Sequence, residues 1–542
     1  MNIFITKTNL GAKLMKKFIS VLAILIVAIS LCGCEVIDNL KGKIFSEDEP
    51  KTNVITEEVS TDVANAIHVS VYDFDTFNPL TTNSQSVKDA MKFVYEPLFT
   101  LDEQITPVPV LADSYTIAED GKSVTVKLKQ NAAWHDGTAF TAADVRYTLN
   151  NIINGKTTYA GAVSQISECR IIDNYTISIS LRHSMPNPVA LFTFPIVKKN
   201  TPMEVNQRYM PIGTGPFSYY GKISIDRYML VASDYYYMGK AKLSGVYIDV
   251  VPDNHRYFTM FNSGNSDVCN AKLISGSDYT PKANVRVNDY VSDELIYMGI
   301  NHSSGDLSNS NVRRAINYFI DRTAIEEDVM YSSVKAVDTF INPMSPYYCG
   351  TTGKMRADSV QGVELLQSAG WEPESRGFSK RIAGRKQYLK LRLLVNADSE
   401  SDVKIGQKVE ECLIMNGIDI DIEILPYAEF IQKINSMDYD LYIGAQRMNY
   451  SQDISDFLGS AGNAFAYNNV NVDMLVTQMG ITNDTQMLKV LYEQMRELLN
   501  SDMPVIPIAY KKNNIYTSAR IKNVAPVGID GYYRELWNWG IK

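Results

Sequence analysis

At 542 residues with 45% hydrophobic side chains, the chain is long enough for a large buried core and, at roughly 150 residues per unit, for about three domain-sized bodies. A formal net charge of −9 argues against nucleic acid as a partner. Five scattered histidines and the widely spaced Cys169, Cys269, Cys349 and Cys412 offer no zinc-like ligand spacing, so the sequence calls for neither a metal nor a cofactor.

Lys7, Lys13, Lys16 and Lys17 precede the apolar run FISVLAILIVAIS, and no acidic residue stands before Glu35. That is the pattern of an export signal, and a start at Met15 would already supply all of it. From Phe18 to Leu31 the run is shorter than the roughly 20 apolar residues of a membrane-crossing helix. It ends in SLCGC, which resembles the lipobox of bacterial lipoproteins. The resemblance implies that residues 1–33 are a leader and that the Cys34 thiol receives a diacylglycerol before cleavage makes it the new N-terminus. Several acyl chains at one site anchor stably where a single chain binds only marginally. Residues 34–66 are polar and acidic, with Phe45 the only aromatic, and read as a flexible tether.

In the body, HVSVYDFDTFNPL alternates as a strand before a turn at Asn78-Pro79. SVKDAMKFVYEPLFTLD then places Val87, Met91, Val94 and Leu98 on one helical face. Glu119-Asp120-Gly121 makes a turn into a strand that buries Val124, Val126 and Leu128. Thr141, with Asp144 three residues on, caps a helix AADVRYTLNNII. In the preceding WHDG, His135 beside Asp136 has the residue types of an acid/base pair. It lacks a second histidine or carboxylate at workable spacing, and a turn packed over Trp134 is the simpler reading. PIGTGPF has neither the third glycine nor the Lys-Ser/Thr ending of a phosphate loop, so Gly213 and Gly215 are read as a tight crossing between domains. SNVRRAINYFIDRTAI buries Val312, Ala315, Ile316, Phe319 and Ile320 behind a Ser310 cap, leaving Arg313, Arg314, Asp321 and Arg322 on a solvated face. YLKLRLLVNA and DIDIEILPYAEF are strands flanking a helix around KIGQKVEECLIMNG, an α/β alternation. MPVIPIAYKKNNIYTS is again strand-like and is read as returning to the first lobe.

FNPL, VYEPLFTLDE, the long block ending in WHDGTAFTAADV, PIGTGPF, NVRRAINYFIDRTAI and MPVIPIAY, in this order, resemble the family 5 extracellular solute-binding proteins of ATP-driven importers. The family includes oligopeptide, dipeptide and nickel binders. The resemblance implies a two-lobed α/β protein of the class II periplasmic-binding type, with an extra subdomain in its larger lobe and a ligand cleft between lobes. Expected boundaries are lobe I at 67–290, with the subdomain insertion at about 86–208, lobe II at 291–503, and a return to lobe I at 504–542. The implied partners are a small solute, first of all a peptide, an ABC permease with its ATPases, and the membrane through the lipid anchor. A monomer on the outer face of the cytoplasmic membrane is expected, with no chemistry of its own.

In peptide-binding members a Gly-Trp pair and then an aspartate that grips the peptide amine follow a late strand, seven residues before a phenylalanine. The matching run here is YDLYIGAQRMNYSQDISDFLG. Aligned on Phe457, the amine-binding position falls on Tyr450, and Ala445 stands where the tryptophan would be. This departure points to Gln446, Arg447, Asn449 and Tyr450 contacting an uncharged, sugar-like or blocked ligand, with Tyr72 on the opposite wall. A gapped register would instead put Asp453 on the amine and restore the peptide. Two other classes stand beside the importer: an exported hydrolase using His135 and Asp136, and a surface lipoprotein presenting ligands to a sensor.

Overall fold

The computed structural model describes residues 64–161, 163–271, 284–460, 465, 467–531 and 533–542. The leader, Cys34 and most of the tether lie outside them. The elements that shape the molecule are, in chain order, β1 (Ala66–Val71), α1 (Gln85–Met91), β2 (Ala112–Ile117), β3 (Ser123–Leu128), α2 (Ala142–Ile153), β4 (Ile166–Asp173), β5 (Thr176–Leu181), β6 (Phe217–Ser224), β7 (Arg227–Ala232), β8 (Gly245–Val250), β9 (Val268–Asn270), β10 (Val285–Ile300), α3 (Ser310–Phe319), β11 (Lys390–Asn396), α4 (Glu400–Met415), β12 (Asp419–Leu425), β13 (Leu441–Arg447), α5 (Thr485–Asp502) and β14 (Val505–Ser518).

One mixed sheet runs β12-β11-β13-β10-β14-β9-β1-β8-β7-β6, and Val334–Ala336 pairs with β14 beside this path. A separate four-stranded sheet, β2-β3-β5-β4, lies against α2. β11, α4 and β12 form the expected βαβ unit, with the two strands parallel in register from Lys390↔Asp419 to Asn396↔Leu425.

Two strands dominate. β10 and β14 pair antiparallel from Val285↔Ser518 to Gly299↔Val505, with register breaks between Val291 and Leu295 and again at Ile296. Along β14, Ile506, Ile508 and Ala509 enter a core made of residues 296–509, whereas Ile515 enters a second core of residues 67–268 and 515–539. One continuous strand therefore serves two hydrophobic cores.

The motifs that looked chemical are packed into one knot. Asp144 is buried: its Oδ2 accepts from Thr141 N at 2.9 Å and from Trp134 Nε1 at 3.3 Å, and its Oδ1 from Lys199 N at 2.8 Å. His135 N donates to Gly213 O at 2.9 Å, Gly213 N donates to His135 Nδ1 at 3.2 Å, and His135 Nε2 lies 2.9 Å from Gly215 O. These contacts place the proton on Nε2 and occupy both ring nitrogens, and burial lowers the imidazole pKa.

Gly213 and Gly215 serve a close approach, but it is to the Phe93–Val94 backbone of the same core rather than a passage between lobes. Gly215 N donates to Val94 O at 2.9 Å and Phe217 N to Phe93 O at 3.1 Å. This explains why α1 stops at Met91 instead of continuing to Leu98. Lys92 N and Phe93 N turn back to Asp89 O and Ala90 O, and the carbonyls beyond are taken by the glycine segment. The α3 cap is Asn309, not Ser310, its side chain accepting from Asn311 N. Arg313 and Arg322, expected in solvent, are buried because each satisfies main-chain oxygens of β14's approach, Arg313 at Asp502 and Met503 and Arg322 at Pro507. Cys169, Cys269, Cys349 and Cys412 are all free thiols.

A β-carbon on Gly213 would lie 1.8 Å from Val94 O, whereas one on Gly305 would meet nothing within 4 Å. Gly213→Ala is expected to destabilise by about 3 kcal/mol or more, and Gly305→Ala by less than about 0.5 kcal/mol, in paired thermal melts. Equal melting temperatures for the two variants would show that the knot is not needed.

Candidate functional site

A cavity of about 930 Å³ lies between two walls drawn from distant parts of the chain. One wall holds α1 and its exit (Gln85, Lys88, Met91, Lys92, Tyr95, Glu96), Lys129, Tyr159, Gln165, Tyr236 and Tyr237. The other holds Asp293, the β13 end and its loop (Gln446 to Tyr450), Asp453, Asp456 and Phe457, and Asp530 and Tyr533 also line the cavity. This volume is within the roughly 300–1,000 Å³ of small-molecule sites.

Five of the six sequence candidates line it: Gln446, Arg447, Asn449, Tyr450 and Asp453. β13 carries Gln446 and Arg447 to its end opposite Leu295 and Glu294 of β10, and Met448 N then donates to Asp293 O at 2.9 Å. Asn449 closes the following loop, its Oδ1 accepting from Ser451 Oγ at 2.6 Å and from Asp453 N at 3.1 Å. Tyr450 leans on the apolar cluster of Leu101, Ile105 and Ala190. Burial, then the charges of Asp293 and Asp530, raise its pKa well above the ordinary phenol value. The position aligned with the amine-gripping aspartate thus carries a neutral hydroxyl beside two carboxylates from elsewhere.

Asp453 is committed to protein partners. Its Oδ1 accepts from Ser455 N at 2.9 Å, and its Oδ2 accepts from Ser455 Oγ at 2.8 Å and faces His183 Nε2 at 3.4 Å. The hydrogen bond to Asp453 raises the His183 pKa against the opposing effect of burial. Gln165 Nε2 reaches Asp456 Oδ2 at 2.9 Å, a second polar contact across the cavity. Tyr72 does not join the others: its ring packs edge-on against Tyr257 at 5.5 Å between centroids, and Ser84 and Ser86 hold its main chain.

Residues that sequence reasoning missed include Lys88, Asp293, Asp530 and Glu96. Glu96 was visible only as part of a motif, yet it is a buried carboxyl receiving Tyr236 Oη at 3.0 Å, Tyr237 Oη at 3.2 Å and Thr214 Oγ1 at 3.1 Å. Burial pushes it up to about 7, against the pull of those donors and of Lys129. Among the described residues, no cluster of three or more His, Cys, Asp or Glu is placed to hold a metal ion, and no helix is long and apolar enough to cross a membrane.

A family model for bacterial extracellular solute-binding proteins, family 5, matches residues 106–468, about two thirds of the chain. The chain belongs to that family. This family 5 protein is 24% identical over 472 residues to the glutathione-binding protein GsiB of Escherichia coli strain K12, covering 83% of this chain and 89% of the relative. Its fold matches the nickel ABC transporter protein of Bacillus halodurans with a TM-score of 0.74 at 19% identity, covering 88% of this chain and all of the other. It also matches the oligopeptide-binding protein AppA of Bacillus subtilis, solved with a nonapeptide, with a TM-score of 0.59 at 20% identity over 88% and 99% of the two chains. The architecture is therefore the two-lobed α/β fold of solute-binding proteins that work with ABC importers. Both nitrogens of His135 are tied to Gly213 and Gly215, so this imidazole has no nitrogen free to move a proton.

A carboxyl whose pKa rises on folding contributes stability that is fully present below its unfolded value of 4.5 and lost as pH rises through about 7. Glu96→Gln keeps an oxygen for the tyrosines and removes this loss. Relative to wild type, the variant is expected to gain on the order of 3 kcal/mol between about pH 5 and about pH 8 in pH-resolved denaturation. Parallel pH profiles would mean that Glu96 is ionised at little cost in the folded protein.

Proposed function

We propose that this protein is the lipid-anchored, extracytoplasmic binding component of an ABC importer, that it captures oligopeptides or dipeptides by closing its lobes on them, and that it hands them to a membrane permease. Cys34 is the proposed lipidation site, and the tether and the body's position on the outer face of the cytoplasmic membrane follow from it. The observation that carries the reading is the cavity itself, about 930 Å³ with polar and aromatic groups converging from both walls, in a chain of this family. Ligand drives closure only through its better affinity for the closed state. Gln446, Arg447, Asn449 and Tyr450 are the proposed contacts. Asp453, held by Ser455 and His183, is assigned the looser role of shaping the loop, and Tyr72 a place behind the wall. Peptide is favoured because GsiB is named for glutathione and AppA was solved with a nonapeptide. The tyrosine at position 450 favours a second reading, a non-peptide solute such as a sugar or a metal chelate.

Native mass spectrometry of the protein, purified undenatured from its own host, is expected to show a ladder of peptide masses. One non-peptide mass would replace peptide by the second reading. Tyr450→Ala is expected to weaken the retained ligand by about ten-fold or more, as truncation of a central aromatic contact does. Unchanged affinity would remove Tyr450 from the site.

A further inference from the structure

Two glycines from different bodies bury each other. Gly121 closes the turn ahead of β3 and Ser184 follows β5, strands whose Val124 and Leu181 enter the core of residues 67–268 and 515–539. Gly480 ends the helix Val470–Gly480, whose Val472 and Met479 enter a separate core with Tyr297 and Tyr492. Both glycines are buried. A β-carbon on Gly121 would run into Gly480 O, and one on Gly480 would lie 2.7 Å from the Ser184 carbonyl C, its O and its Oγ.

The local backbone explains only one of the two. Gly121 has φ +66°, the left-handed conformation that its turn requires. Gly480 lies outside that region, and alanine is the better helix former. What excludes a side chain at position 480 is the main chain of the opposite body. Rotating a side chain cannot relieve such a contact, so any added bulk must push the backbones apart.

The same seam runs along one rim of the cavity. Gln165 Nε2 donates to Asp456 Oδ2 at 2.9 Å, and His183 Nε2 faces Asp453 Oδ2 at 3.4 Å. Tyr450, a few residues before Asp453, leans on Leu101, Ile105 and Ala190 of the other body. The polar pairs are joined through side chains that can adjust. The glycine contact cannot, and it therefore fixes how near the loop from Asn449 to Asp456 comes to the opposite wall.

We propose that the contact of Gly480 with Ser184 and Gly121 is the stop for cleft closure: it sets how closely the two walls approach, and with that the width of the cavity, whatever solute lies between them. Gly480 is thus a positioning residue for capture, acting on the solute only through the spacing of the walls. The inference rests on the reading that the cleft closes on a solute, and its test needs no identified ligand.

The test is carbodiimide crosslinking of a Gln165→Lys parent purified undenatured from its own host. The reagent joins an amine to a carboxyl only while the two touch, so the yield of the link from position 165 to Asp456 reads the closed seam. Adding Gly480→Leu is expected to cut that yield by about ten-fold or more, Gly480→Ala by an intermediate amount, and Gly305→Leu, at an open site, by less than about two-fold. Each variant is expected to melt within about 2 °C of the parent, because the atoms nearest a side chain at position 480 belong to the other body. A yield independent of the size of the residue at position 480 would overturn the stop. If the Gly480 variants melt several degrees lower, Ser184→Leu decides, since it adds bulk to the same contact from the other side: a similar loss upholds the stop, and an unchanged yield overturns it. A parent that forms no link to Asp456 would overturn the seam and leave the importer reading standing, because the retained solute tests that reading separately.

Discussion

The pairing of β10 with β14 is the constraint from which the site follows. A ladder that feeds one core at Ile506 and another at Ile515 fixes the spacing between the two bodies. It must also break, because strands whose side chains alternate strictly could not suit both cores at one register. The break at Ser292–Glu294 turns Asp293 out of the ladder and into the cavity and lets Glu294 face Arg447 and Lys511 together. Bulges of this kind re-aim a side chain at the place where two structural units meet.

The other wall is held by rigidity of a different sort. Gly215 and Phe217 donate to the Phe93–Val94 backbone, His135 holds Gly213 and Gly215 from behind, and Asp144 fixes the neighbouring Trp134. Their work is to end α1 early and set Lys88, Lys92 and Glu96 along one side of the cleft. A site that captures solute by motion needs walls that do not deform, so that binding energy is not lost in ordering them. The most motif-like residues of the chain therefore touch no proposed ligand contact and still decide where one wall stands.

Local elements were legible because their signals are local. The Thr141–Asp144 cap, the alternation of Val124, Val126 and Leu128, and the unit from Lys390 to Leu425 are each settled within a few residues. The overrun of α1 to Leu98 and the solvated placement of Arg313 and Arg322 fail for one shared reason. The backbone groups that decide them belong to residues 213–217 and 502–507, far along the chain. The site divides in the same way: Gln446 to Tyr450 stand in one loop and could be read together, whereas Lys88, Asp293 and Asp530 meet only after the sheet has formed. The family motifs led to the fold and were silent about specificity, since they build the wall rather than the contacts.

The four free cysteines carry a consequence for how the protein matures. Cys169, Cys269 and Cys412 are buried, and burial pushes the Cys169 thiol up to about 12, where almost no reactive thiolate exists. Among the described residues no crosslink supports the fold, and the buried thiols behave as small hydrophobes. Such a body can assemble without an oxidase or isomerase, and its stability is indifferent to whether the surrounding medium is aerobic or reducing.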